Sequence, residues 1–146
     1  MVNRKQLLRA LAVVVASLTM SAAVRAQEGH PMAGTWYGEI GTGAARKDVT
    51  LVLKWDGSKV TGLVNPGPNA APVTSVTLDI IPGKAGTQSL NNPDGTAPVA
   101  PVFNVKILFG DLVLEGRMQN PVGGNRSITG TYTRAAEKGP FQIKHL

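Results

Sequence analysis

The chain has 146 residues, 15 of them Lys or Arg against 9 Asp or Glu, for a formal charge of +6, with 42% hydrophobic residues, 5% aromatic residues and no cysteine. The missing cysteine excludes a disulfide framework, thiol catalysis and cysteine-ligated zinc. Any folded domain here must hold together by core burial and strand pairing alone.

The N-terminus opens on Arg4, Lys5 and Arg9, and residues 10–23 follow without a charge, including the run Leu11-Ala12-Val13-Val14-Val15. Val24-Arg25-Ala26 then places small or aliphatic residues where a signal peptidase reads. Basic, apolar and small-residue segments in that order predict a secretory signal over residues 1–26, cleaved after Ala26, with Ala23 as the alternative. A membrane anchor is the rival, but an apolar run of about 14 residues falls short of the ~20 that span a bilayer. The expected product is periplasmic or secreted, with no membrane anchor after cleavage. Cleavage removes Arg4, Lys5, Arg9 and Arg25, leaving eleven basic residues against all nine acidic ones, a formal +2. That balance, with no run of Lys or Arg, excludes a nucleic-acid partner.

Residues 27–33 show no periodicity and are expected to form a flexible leader ahead of a domain over residues 34–146. From there the pattern has period two. Trp36, Gly38 and Ile40 alternate with Thr35, Tyr37 and Glu39; Val49, Leu51, Leu53 and Trp55 follow, then Val60 and Val64. Val76, Leu78 and Ile80 make a fourth set, and Phe103, Val105, Ile107 and Phe109 a fifth. Leu112, Leu114 and Met118, then Ile128 and Tyr132, then Phe141 and Ile143 complete the series. Such alternation puts one set of side chains inside and the other in water, as antiparallel strands do. Asp56-Gly57 and Gly110-Asp111 read as tight hairpin turns. Residues 135–138 are expected to make one helical turn at most.

Eight short strands joined mostly by turns predict an all-β fold, an eight-stranded antiparallel up-and-down barrel, with a two-sheet β-sandwich as the alternative. Residues 82–101 hold Pro82, Pro93, Pro98 and Pro101 and no clear strand. A loop of that length is expected to be either a mobile surface insertion or a lid over one barrel end.

Gly34-Thr35-Trp36 on the first strand, with an all-β chain of this size behind it, resembles the calycin group of lipocalins, avidins and their relatives. The stretches DGSKVTGLV, LEGRMQN, SITGTYTR and FQIKHL are similar to small exported lipocalin-like β-domains of bacteria. The resemblance implies that Trp36 closes one barrel end, that Gly34 lets the chain pass close by, and that a basic side chain from a late strand meets the tryptophan. Arg134 is the expected counterpart, by cation–π stacking. The first strand is also similar to that of avidin-type biotin binders. Gly38 stands where those carry a polar biotin contact, and no tryptophan follows Trp55, so biotin binding is not expected.

No catalytic grouping is present. His30 lies in the leader and His145 is penultimate, neither beside a serine or carboxylate in a triad-like pattern. No serine sits in G-x-S-x-G, and the carboxylates are scattered rather than paired. No cofactor and no metal is implied. Trp36, Trp55, Phe103, Phe109 and Tyr132 are candidates to line an interior ligand cavity, and core packing explains them equally well. The expected function is a non-enzymatic exported barrel that binds a small apolar ligand or a protein partner. The alternatives are a structural or accessory envelope module with a filled core and, third, a hydrolase or isomerase on a calycin-like scaffold.

Overall fold

The computed structural model describes residues 29–88 and 92–146; the expected signal and its cleavage site lie outside them. Nine strands form in chain order: β1 (Gly34–Ile40), β2 (Lys47–Trp55), β3 (Val60–Val64), β4 (Ala71–Pro72), β5 (Ser75–Ile81), β6 (Val102–Phe109), β7 (Leu112–Gln119), β8 (Ser127–Arg134) and β9 (Glu137–His145). All eight alternating segments become strands, and β4 is a two-residue addition. Helix is confined, among the described residues, to one 3-10 turn at Gly43–Ala45.

The strands make one antiparallel sheet in the order β4-β3-β2-β1-β9-β8-β7-β6-β5. First and last strands pair, Gly38 opposite Ile143, so the sheet curls up-and-down into a barrel-like form rather than splitting into a sandwich. Its two outermost strands, β4 and β5, are separated in the chain only by Val73 and Thr74. The Val73 amide bonds Gly62 O on β3 at 2.9 Å, and the Thr74 amide bonds Leu108 O on β6 at 2.8 Å. The curled sheet is thus stitched together by one continuous, bent stretch of chain.

Alternation drives the core. Trp36, Leu51, Ile107, Leu114, Ile128 and Ile143 are fully buried on the inner face, and no polar or charged residue among the described ones is buried. Curvature needs bare backbone inside. Gly116 and Gly130 face each other across β7 and β8, and the Phe141 ring from β9 fills the space above them. Its Cζ would stand 3.1 Å from a Cβ at Gly116. Glycine here allows the sheet to bend while an aromatic ring restores the packing.

The hairpin turns form as expected. Gly57 adopts φ +99° and Gly110 φ +56°, and Asp56 Oδ1 accepts from the amides of Ser58 and Lys59 at 2.9 Å each. Residues 135–138 differ from the expected helical turn. Arg134 pairs with Glu137, leaving a two-residue β-turn in which Ala135 takes φ +49°.

Residues 82–101 also differ from a structureless insertion. Lys84 and Val99 exchange backbone hydrogen bonds at 2.9 Å, and the Thr87 amide bonds Thr96 O at 2.9 Å. These pairs continue the register that sets Ile81 opposite Val102. Residues 82–88 and 92–101 thus extend the β5–β6 hairpin. Pro82, Pro98 and Pro101 remove amide donors from its ladder, which hid the pairing from the strand pattern.

Candidate functional site

Call the end where β1 begins the lower end. Strand alternation brings there the 56–59 turn, the 82–101 extension, the 120–126 loop and the segment leading into β1. The residues proposed from sequence to line one cavity are divided between the two ends. Trp36 is fully buried near the lower end, where half-buried Trp55 and Phe103 also lie. Phe109 and Tyr132 are buried at the upper end, where with Val49, Val64 and Leu112 they line a depression of about 110 Å³. Arg134, Glu137, Lys47 and Asp48 rim it. That volume is well below the ~300 Å³ of ordinary ligand pockets.

Trp36 is met by Arg126 and not by Arg134. The Arg126 guanidinium carbon lies 5.9 Å from the Trp36 ring centroid, whereas Arg134 Nε stands 3.4 Å from Asp111 Oδ1. The reason is direction. β1 and β8 run the same way with β9 between them, so the start of β1 is level with the start of β8, where Arg126 sits, and Arg134 is at the far end. The leader differs from expectation too. Arg126 Nη1 donates to Pro31 O at 2.6 Å, Trp36 Nε1 donates to Met32 O at 2.8 Å, and His145 Nε2 lies 3.1 Å from Ala33 O. Two of these three successive carbonyls accept a side-chain hydrogen bond, the third lies against the His145 ring, and Met32 is fully buried. Residues 31–33 therefore belong to the domain and plug its lower end beside Trp36.

His145, though penultimate in the chain and outside any catalytic pattern in the sequence, completes this cluster. Its ring meets Trp36 edge-on at 5.1 Å, and its Nε2 is 3.0 Å from Arg126 Nη2. Arg126 can only donate, so the imidazole accepts through Nε2. The signal was present: Phe141, Ile143 and His145 continue one period-two series, as do Arg126, Ile128 and Tyr132.

The opposite wall is less complete. Val76, Leu78 and Ile80 on β5 lie opposite Ile107, Val105 and Phe103 and share their inward face. Ile107 and Val105 are buried, but no residue of β5 is. Ile80 is 51% exposed and its neighbour Ile81 50%. The cause is the shortness of β3. Val64 opposite Ala71, and the Val73 bond to Gly62, bring Val60 level with Ser75. There the Asp56-Gly57 turn reverses the chain. Beyond that point no described strand lies against β5 on the side away from β6.

The outward face of the same ribbon carries a groove of about 450 Å³ lined by Thr77, Asp79, Asn104, Lys106, Glu115 and Arg117. Lys106 Nζ donates to Glu115 Oε1 at 2.8 Å, and that bond holds the Glu115 carboxyl below the usual carboxylate range. Asp79 lies opposite Asn104, which lies opposite Arg117. Among the described residues Asp79 has no ion-pair partner.

No three His, Asp or Glu side chains among the described residues are grouped to hold a metal ion, and no described helix is long and apolar enough to cross a membrane. Compared with protein-family models, curated proteins and solved structures, the chain matches none.

Proposed function

We propose that this is an exported, non-enzymatic barrel that works by binding a protein partner through the open lower side at β5, and does not carry a small apolar ligand inside. One observation carries the reading: on the inward face of β5, Val76 and Leu78 are only partly buried against the core and Ile80 is 51% exposed, while fully buried residues line the inner faces of the other long strands. Apolar side chains aligned with a core but left in water mark a surface that a partner covers. The interior argues the same way, because the depression that opens at its upper end is only about 110 Å³. Kinship with the calycin group is part of the proposal. It is supported by Gly34-x-Trp36 at the start of β1 and by Arg126 over the tryptophan ring.

Native mass spectrometry and site-specific photo-crosslinking test this together. Protein purified from cells that export it is expected to begin at Gln27 and to carry no small molecule. A photo-crosslinking residue at Ile80 is expected to yield protein adducts, whereas one at the exposed Thr131 on β8 is not. A retained apolar small molecule, or equal adducts at both positions, overturns the proposal.

A further inference from the structure

We infer that the free edge of β5 takes up an extended segment of the partner protein as an added β-strand, with apolar side chains at alternate positions and a Lys or Arg beside Asp79. The inference rests on the reading of this side as the partner-binding surface and names how the partner is held.

The backbone supplies the first argument. On a strand paired on one side only, every second residue aims its N–H and C=O groups at the vacant side. Among the described residues, 76–81 of β5 are in this state, next to the place where β3 would continue had it not turned back at Asp56-Gly57. The usual protections of an edge are sparse: Pro82 follows the strand, no lysine lies on β5, and its one charge is Asp79.

Side chains supply the second. A strand laid along this edge shares the alternation of β5, so alternate side chains fall beside Leu78 and Ile80 and cover them. These positions call for aliphatic residues. The intervening side chains fall beside Thr77 and Asp79, on the rim of the outer groove. Asp79, exposed and without an ion-pair partner among the described residues, calls for a cation there.

The same charge argues against a second copy as the occupant. Antiparallel two-fold self-pairing of the free residues centres on Leu78 or, at equal length, on Asp79. The second sets the two Asp79 directly opposite one another, and the first sets Asp79 opposite the Thr77 of the other copy. Both Asp79 carboxylates then lie diagonally on one face, within the ~7–8 Å reach of cross-strand diagonal neighbours. Like charges so placed repel, whereas a partner carrying a cation gains from the same position.

The test uses the domain with two capped peptides the length of β5 (7 residues). Both carry valine at alternate positions and threonine between; one has a central arginine and the other a glutamate in its place. Binding is followed by calorimetry and by hydrogen exchange of the β5 amides. The arginine peptide is expected to slow exchange in residues 76–81 and to bind about fivefold tighter than the glutamate peptide. Asp79→Lys, an exposed change, is expected to reverse that preference. Ile80→Lys is expected to abolish binding while the unfolding midpoint stays near that of the parent. Absence of protection at millimolar arginine peptide overturns strand addition, as does a preference that Asp79→Lys leaves unchanged. Concentration-dependent dimerisation that protects residues 76–81 without peptide overturns it in favour of a second copy. None of these outcomes touches the Ile80 crosslinks, whose loss is what overturns the partner-binding reading itself.

Discussion

The imidazole of His145 lies directly over the bare Cα of Gly34, so that a Cβ at residue 34 would collide with Nε2. Gly34 also adopts φ +120°, a conformation that L side chains rarely take. Two separate costs therefore follow from Gly34→Ala: about 1–3 kcal/mol of backbone strain and a similar overpacking term. A loss of about 3 kcal/mol in urea unfolding is expected. Adding His145→Ala removes the collision but not the strain, so the double mutant should recover part of the loss in a double-mutant cycle.

Arg126 and Arg134 occupy opposite ends of β8, and their substitution should separate sharply. Arg126→Ala removes the donors to Pro31 O and His145 and the cation over Trp36. A loss of about 2–3 kcal/mol is expected, with faster proteolytic cleavage around residues 31–33. Arg126→Lys should rescue little, because an ammonium cannot span both acceptors as the planar guanidinium does. Arg134→Ala, which loosens only an exposed pair with Asp111, should stay within about 0.5 kcal/mol of the parent.

Phe141 packs over Gly116 and Gly130, two positions with no side chain of their own. Phe141→Ala should cost about 3–5 kcal/mol. Filling the space from the other side should fail: a Cβ at Gly116 runs into the backbone carbonyl of Thr129, so Gly116→Ala in the same chain lowers stability further.

Two groups shape the pH dependence from opposite ends. The Lys59 amide, then the Ser58 amide and hydroxyl, hold the Asp56 carboxyl below its usual range. Its folded pKa is depressed, so its contribution is present above the ordinary carboxylate range and is lost as pH falls through the folded value. Tyr132 is the converse. Its hydroxyl donates to Glu137 Oε1 at 2.6 Å, which raises its pKa above the ordinary phenol range. That contribution is present below the ordinary phenol range and is lost as pH rises through the raised value. Asp56→Asn should flatten the acid limb of a melting-temperature profile, and Tyr132→Phe the alkaline limb. Unchanged limbs in both variants would refute these assignments.

Ala135 is one of three non-glycine residues with positive φ among the described residues, and it closes the β8–β9 turn at +49°. An alanine in that region costs roughly 1–2 kcal/mol, partly offset in the comparison with glycine by glycine's greater chain entropy. Ala135→Gly is therefore expected to stabilise the domain by about 0.5–1 kcal/mol in denaturant titration.

All eight principal strands, with the Asp56-Gly57 and Gly110-Asp111 turns, were legible in the sequence, because burial on one face imprints a period of two on each strand by itself. Val49, Leu51 and Leu53 or Phe103, Val105 and Ile107 reveal it without reference to any neighbour. Tertiary structure alone decided how the ends of those strands combine. Trp36 meets Arg126 and not Arg134 because β1 and β8 run in the same direction, a relation no local pattern contains. Residues 31–33 look like a tail until Arg126, from the far end of the chain, and Trp36 donate to their carbonyls and His145 packs beside them. The 82–101 segment hides its pairing because its prolines erase the ladder signal, while register with β5 and β6 preserves the geometry. The exposed edge of β5 was invisible for a related reason. Val76, Leu78 and Ile80 read as an ordinary core face, and only the early turn-back of β3, set by Asp56-Gly57 one hairpin away, leaves Ile80 exposed and the edge of β5 without a described neighbouring strand.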